Sequence, residues 1–254
     1  MKETTIQGIV YPSELQPTKR DYVWKRHVSS KPDDPCTGLC RVASGDKVTS
    51  CLRQLKRQRF TNPDGACMAA LKIYGWYCDW YGKNLCSLIT KSEFDLLVIE
   101  DEGSIVSGIV KIIFQNRIRA QANILLKRHA FQATAEQPAR YEYRVVRPSV
   151  GPDFGHDDCP LLIIDPTLAT GGSITAFLEW FKTEYGIEIA PKRITIWTIV
   201  AAPYGVNRLC NQGMRIVTAE IADGLNKNGF IADSKGEDWI GSMADFFRNC
   251  ISHR

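Results

Sequence analysis

The sequence has no long apolar run. Its greasiest stretches, Leu96–Ile99, Leu161–Ile164 and Ile194–Ala202, are only strand length, well short of the ~18 apolar residues of a membrane span. It has no internal repeat and no low-complexity tract, and its composition is not that of a disordered chain, a collagen or a coiled coil. Only Cys36-x-x-x-Cys40 approaches metal-ligand spacing, and no second close Cys or His pair lies nearby to complete a tetrahedral set. The nine cysteines (Cys36, Cys40, Cys51, Cys67, Cys78, Cys86, Cys159, Cys210, Cys250) are odd in number and widely spread, so they read as reduced, mostly buried thiols of an intracellular protein. Met1–Pro12 contains Glu3 and no apolar h-region. No secretory signal is read there, and a cytoplasmic location is expected, with the mitochondrion as the alternative through a cleaved transit peptide.

What is present is 254 residues at 44% hydrophobic and 24% charged, enough for one large soluble domain or two small ones. The net charge of +4 is unevenly placed, because residues 1–60 carry twelve basic and six acidic side chains. A nucleic-acid binder is usually far more basic over a whole domain, so this surplus reads as a solvated face or an anion-facing edge. Residues 1–50, with Pro12, Pro17, Pro32 and Pro35 among charges, read as an extended, loop-rich arm ahead of a domain over 51–254.

From Ala66 the residues Ala69, Ile73, Tyr74, Trp76, Tyr77, Trp80 and Tyr81 recur at helical spacing up to Gly82, an aromatic face that predicts core or a subunit interface. Phe94–Ile99 reads as a buried strand, Glu100–Ser104 as a turn, Ile105–Phe114 as a helix and Ala122–Leu126 as a strand. Residues 129–160 contain four prolines and the pair Tyr141 and Tyr143, and are expected to be a long irregular flap. Beyond them the pattern is regular. Leu161–Ile164, Ile194–Val200 and Arg215–Ala219 read as strands, and Ser173–Lys182 and Val206–Gln212 as helices. Alternation of this kind predicts an α/β fold with a parallel sheet flanked by helices.

The string Asp165-Pro166-Thr167-Leu168-Ala169-Thr170-Gly171-Gly172-Ser173 follows an apolar strand and opens a helix, at the carboxyl edge where parallel sheets take ligands. Thr170–Ser173 offers bare backbone amides, hydroxyls and a helix N-terminus, a set that suits a phosphate dianion. A strand-end carboxylate such as Asp165 repels phosphate and is better suited to accepting ribose hydroxyls. The string has neither the Gly-Lys-Ser/Thr of a Walker A loop nor a Gly-x-Gly-x-x-Gly turn, so a sugar phosphate fits better than a nucleoside triphosphate or NAD. The alternative is a plain tight turn at Gly171-Gly172 with Ser173 capping a helix.

Here the sequence resembles the uracil phosphoribosyltransferase family, whose loop for 5-phosphoribosyl-1-pyrophosphate (PRPP) reads Asp-Pro-Met-Leu-Ala-Thr-Gly-Gly-Ser; only Thr167 differs. Ile199-Val-Ala-Ala-Pro-Tyr-Gly-Val206 is similar to the family's Val-Ala-Ala-Pro-Glu-Gly-Val. Thr218-Ala-Glu-Ile-Ala-Asp-Gly-Leu-Asn226 is similar to its Thr-Ala-x-Ile-Asp-x-x-Leu-Asn, and Gly229-Phe-Ile231 to the Gly-Tyr-Ile that opens its uracil pocket. The likeness is strong over residues 160–242, faint over 50–159 and absent before.

The resemblance implies a type I phosphoribosyltransferase fold with a small hood. It implies transfer of ribose 5-phosphate from PRPP to uracil or a related base, giving UMP and pyrophosphate with Mg²⁺, an activity of pyrimidine salvage carried out by a homodimer. Asp165 would hold the ribose hydroxyls, Ala169–Ser173 the 5-phosphate, and the backbone at Ile231, beside Phe230, the uracil edge. Gly236-Glu237-Asp238 resembles a shortened form of the family's Gly-Leu-Gly-Asp-Ala-Gly-Asp segment, with Glu237 over one of its aspartates. Arg128 resembles the Tyr-Arg-Asp/Asn arginine that meets pyrophosphate, and Tyr141–Tyr143 would belong to the flap. Asp165, Arg128 and Glu237 are thus the expected catalytic residues. The reaction needs fixed anion donors, a metal bridging the leaving oxygens and a dry pocket rather than a side-chain nucleophile. No protein metal-ligand set is expected.

One departure bears on activity. Where the family has Leu-Arg-Ala-Gly at the first strand end, this chain has Glu100-Asp-Glu-Gly103, with Asp101 in place of the arginine. Carboxylates beside pyrophosphate repel it unless they bind metal or point away, at a cost on the order of 1 kcal/mol per pair at ~4 Å in water. The other reading is therefore a catalytically impaired, nucleotide-binding regulator or a structural subunit of a larger protein or RNA assembly.

Overall fold

The computed structural model describes residues 5–10, 40–42, 46–58, 62–88, 93–100, 102–131, 140–226 and 229–232. In chain order the elements begin with β1 (Thr5–Val10), β2 (Cys40–Val42), α1 (Asp46–Gln58), α2 (Pro63–Leu88), β3 (Phe94–Ile99), α3 (Glu102–Phe114), β4 (Ile118–Phe131) and β5 (Arg140–Val150). They continue with β6 (Leu161–Ile164), β7 (Thr167–Leu168), α4 (Gly172–Tyr185), β8 (Ile194–Ala201), α5 (Pro203–Asn211), β9 (Arg215–Ile221), β10 (Gly224–Leu225) and β11 (Ile231–Ala232). No helix among the described residues is long and apolar enough to cross a membrane.

The main sheet runs β1-β5-β4-β3-β6-β8-β9-β2, with β7 also on β8. From β4 to β2 every neighbouring pair is parallel, whereas β5 and β1 are added antiparallel at one edge. This bears out the expected α/β architecture. It also shows β1 and β2, from the segment read as an arm, pairing at opposite edges of the sheet.

The central strands are apolar throughout because both faces are covered. Leu96, Val98, Leu162, Ile164, Trp197 and Ile199 pack toward α1, α2 and α3, while Leu97, Ile163 and Ile196 pack toward α4 and α5. The one-residue alternation between the two cores follows from the side-chain period of a strand. Trp197 is fully buried and contacts Tyr77 edge-on at 5.8 Å between ring centroids. Trp197→Ala would cost roughly 3–5 kcal/mol.

Helix α4 buries Ile174, Phe177, Trp180 and Phe181 and stops at Gly186, whose φ of 69° gives the left-handed cap. α2 is longer than its periodicity indicated, passing Gly82 to reach Leu88; a single interior glycine costs a helix only ~1 kcal/mol. The aromatic face of that helix is core: Tyr74 and Tyr77 are buried, and their hydroxyls donate to the carbonyls of Trp197 (3.2 Å) and Thr198 (2.8 Å). The described residues thus support core at Tyr74 and Tyr77; the side chains of Trp80 and Tyr81 lie outside them.

The irregular flap expected at 129–160 needs correction. β4 runs on to Phe131 and pairs antiparallel with β5, so that among the described residues of this stretch turns are left from Gly151 to Pro160, while 132–139 lie outside them. Tyr141, Tyr143 and Val145 alternate in β5, a strand period that the nearby prolines disguised. Pro148 fits because it sits where the antiparallel ladder has a register shift close by. α3 starts at Glu102, three residues earlier than expected, and α5 starts at Pro203, where proline suits the first helical position.

Candidate functional site

β6 ends at Ile164, and the backbone of Asp165–Gly171 then crosses the carboxyl edge of the sheet before α4 begins. The Asp165 amide donates to the Trp197 carbonyl at 3.1 Å. Next, the Pro166 carbonyl accepts from Ile199 N at 2.9 Å, and the Leu168 carbonyl accepts from Ala202 N at 2.8 Å. Buried Thr198 on β8 pins the same turn: its hydroxyl accepts from Leu168 N (3.2 Å) and lies 3.0 Å from the Pro166 carbonyl. Thr198 is a loop-holding residue that motif reading passed over; only the β7–β8 pairing of Thr167 with Val200 reveals its position.

The helix start is built from glycine. Gly171 adopts φ 71° and, as N-cap, has no side chain with which to close the first turn, leaving helix-terminal N–H groups and the positive end of the dipole for an anion. Gly172 N donates to the buried Thr170 hydroxyl at 3.2 Å, Thr175 Oγ1 donates to the Gly171 carbonyl at 3.1 Å, and Ser173 is half-buried. From α5, Arg208 donates to the Thr170 carbonyl at 3.4 Å. Gly205 approaches so closely that a Cβ there would lie 2.6 Å from the Ala169 carbonyl oxygen.

The β4–β5 hairpin overhangs this edge. Ile99 is the last residue of β3 to pair with β4, at Ile124, and β4 continues to Phe131. Those seven further residues reach about 24 Å beyond β3. Arg128 and Tyr143 face each other across the hairpin. Tyr143 is 6% exposed, and its ring is seated on the helix start: a Cβ on Gly172 would be 2.7 Å from Tyr143 Cζ. The guanidinium of Arg128 lies over the ring of Phe230, 4.4 Å from the centroid, a cation–π contact.

Phe230 belongs to the small β10–β11 hairpin, in which Asn226 N donates to the Phe230 carbonyl (2.8 Å) and Phe230 N to Asn226 Oδ1 (3.1 Å). Ile231 is buried, whereas Phe230 is 38% exposed. The fold thus brings together Asp165, Pro166, Thr167, Leu168, Ala169, Thr170, Gly171, Gly172 and Ser173 with Tyr143, and links Arg128 from the overhanging strand to Phe230 and Ile231. Gly236, Glu237 and Asp238 lie outside the described residues, as does Asp101.

The loop after β3 occupies the same edge. β3 lies beside β6, and a Cβ on Gly103 would be 3.0 Å from the Ile164 carbonyl, so Gly103 neighbours the start of the Asp165 loop. Glu100 is half-buried, and its amide donates to the Ile124 carbonyl at 2.7 Å. Among the described residues no group of three or more His, Cys, Asp or Glu converges as a metal cage. Asp165 follows β6 and Glu100 follows the neighbouring β3; Mg²⁺ sites use one or two carboxylates and take their other ligands from substrate oxygens and water, so a strand-end carboxylate of this kind suits that ion.

Residues 134–238 match the family model for uracil phosphoribosyltransferase, which bears out the resemblance over that stretch. The structure of the AQ2163 protein from Aquifex aeolicus superposes with a TM-score of 0.59 at 14% identity, covering 82% of this chain and 97% of its own; the two share a fold. Adenine phosphoribosyl transferase from Trypanosoma brucei, solved with AMP, pyrophosphate and ribose-5-phosphate, matches with a TM-score of 0.39 at 15% identity, covering 61% of this chain and 65% of its own.

Proposed function

We propose that the protein is a phosphoribosyltransferase that joins uracil or a closely related base to PRPP, releasing pyrophosphate and forming UMP. One observation supports this reading above the others: an uncapped helix start at Gly171–Ser173, held rigidly at the carboxyl edge and overhung by a strand that presents Arg128. A 5-phosphate at the α4 N-terminus would meet N–H groups already fixed in place, so little reorganisation is needed on binding. Asp165 would accept the ribose hydroxyls.

The reaction breaks the C1–O bond of the ribose and sends its electron pair to pyrophosphate, while a ring nitrogen of the base forms the new bond to C1 and gives up its proton. Arg128 would leave Phe230 to meet the developing negative charge, and Phe230 and Ile231 would bound the base. Glu237 is assigned to the segment closing that pocket. Mg²⁺ would supply charge neutralisation on the pyrophosphate oxygens, and the strand-end carboxylate of Asp165 would be available to help hold it. We take the active form to be a homodimer in the cytoplasm, the first point readable by sedimentation of the purified chain.

A second reading rests on the acidic string Glu100-Asp101-Glu102 that follows β3 in the sequence: a protein that binds nucleotide without turnover, as a regulator or as part of a larger assembly. The experiment that separates the two incubates PRPP and Mg²⁺ with each of several pyrimidines and measures the nucleotide formed. UMP from uracil is the expected product. UMP binding without any nucleotide formed would establish the second reading, and failure to bind either PRPP or UMP would remove both.

A further inference from the structure

A cleft between α1 and α2 lies on the face of the sheet opposite α4, and the reading above leaves it unused. The two helices meet through Val48, Leu52 and Leu55 on α1 and Ala69, Ala70 and Ile73 on α2. Beside that seam they flank an open cleft of about 460 Å³, within the ~300–1,000 Å³ typical of small-molecule sites.

Its floor is apolar, since Val48 and Ile73 are each 1% exposed, and the half-buried indole of Trp76 forms one wall. Lys47, Ser50 and Cys51 line it from α1 at the i, i+3, i+4 spacing of one helical face, and Lys72 lines it from α2. Three cations of the described residues are ion-paired: Lys56 with Glu220, Lys182 with Glu188 and Arg119 with Asp95. Neither Lys47 nor Lys72 has an ion pair or hydrogen bond among the described residues.

Two ammonium groups over an apolar floor fit one kind of occupant. An apolar helix or an apolar protein face would bury the lysines without partners, which is costly. A free inorganic anion would leave the floor and the indole exposed to water. A flat aromatic body with an anionic group satisfies both, the ring against Trp76 and the charge shared by Lys47 and Lys72, with the Ser50 hydroxyl as a further donor. We propose that the α1–α2 cleft is a binding site for a small aromatic anion, separate from the phosphate loop and on the other side of the sheet.

The test uses the full chain and 1-naphthyl phosphate as probe. The Cys51 thiol lines the cleft, so its alkylation by iodoacetamide, read by peptide mass spectrometry, reports occupancy at that place, with Cys67 as the internal reference. Millimolar probe is expected to slow Cys51 alkylation about tenfold and leave Cys67 unchanged. The double variant Lys47→Gln/Lys72→Gln should bind the probe at least about tenfold more weakly. The variant Gly172→Asp, which disables the phosphate loop, should protect Cys51 as the natural chain does. Equal Cys51 rates with and without probe, undiminished protection in the lysine variant, or protection lost in Gly172→Asp would each overturn the proposal. If Cys51 resists alkylation even in the free chain, calorimetric titration of the probe into the natural chain and the lysine variant reads the same contrast, and equal affinities overturn it.

Discussion

The two edges of the main sheet are built on opposite principles. At the amino edge, Asp95 is fully buried and accepts from Arg119 through both carboxylate oxygens, at 2.9 and 2.8 Å, as well as from Gly155 N at 2.8 Å. Arg119 donates in turn to Asp157 and to the carbonyls of Asp153 and His156, and Arg193 ties down the Cys159 carbonyl. The hydrogen bond to Asp95 holds the Arg119 guanidinium even more firmly protonated than usual. At the carboxyl edge, glycines replace side chains and a helix start is left uncapped at Gly171. At one edge the Asp95–Arg119 pair satisfies its own polar groups and fixes the turns of Gly151–Pro160; the other keeps helix-terminal N–H groups available for a ligand. The fold is the same at both edges, so the difference lies in which side chains the sequence places at strand ends.

The largest effect should come from breaking the amino edge. Arg119→Ala leaves the Asp95 carboxylate buried with only a backbone donor, at a cost of roughly 3–5 kcal/mol in urea denaturation. Whatever stable protein remains should still gain thermal stability from UMP. A change in ligand response equal to the change in stability would show that the edges are not independent.

Next comes the carboxyl edge itself. Gly172→Asp places a carboxylate where phosphate would sit and pushes against Tyr143, so it should remove the stabilisation by UMP, about 2.7 kcal/mol at a hundredfold excess over Kd. An unchanged melting response to ribose 5-phosphate and UMP in this variant would falsify the assignment of the loop. A smaller effect is expected at the acidic turn. Asp101→Arg removes a repulsion worth about 1 kcal/mol and should tighten PRPP binding in a direct titration. Loss of Mg²⁺-dependent turnover would instead make these carboxylates metal ligands.

The smallest effect lies between the edges, in the core. Burial pushes the Cys78 thiol up from 9.0 to about 12. The unfolded thiol therefore ionises first as pH rises, and the contribution of the neutral buried thiol, fully present below pH 9.0, is lost progressively toward about 12. Cys78→Ala should flatten this part of the alkaline stability profile while leaving the contrast between the edges intact. Cys210 on α5, pushed up to about 12 by burial, provides a second position for the same measurement.

Much of this architecture was legible in the sequence, for particular reasons. Phe94–Ile99, Leu161–Ile164 and Ile194–Val200 are strands whose two faces are both covered, so an unbroken apolar run identified each. The Asp165–Ser173 loop was legible because its glycines and hydroxyls are adjacent in the chain. The β5 strand was not, because Pro148 interrupts its alternation and its stability comes from pairing with β4 and β1. Tyr143 was visible only as part of a flap; its seat on Gly172 depends on a hairpin folding back across the sheet edge.

The sequence by itself determined the alternation of strands and helices from β6 to β9, the two-sided burial of the central strands and the chemistry of the loop at Asp165–Ser173, since all three rest on neighbours within a few residues. Tertiary structure alone decided that Arg128 covers Phe230, that Tyr143 covers Gly172, that Thr198 pins Pro166 and Leu168, and that Lys47 and Lys72 share one cleft. Each of these arrangements joins residues at least 25 positions apart. Local spacing cannot encode such pairs, because they form only once the hydrophobic effect has packed the helices on the sheet and strand pairing has set the register.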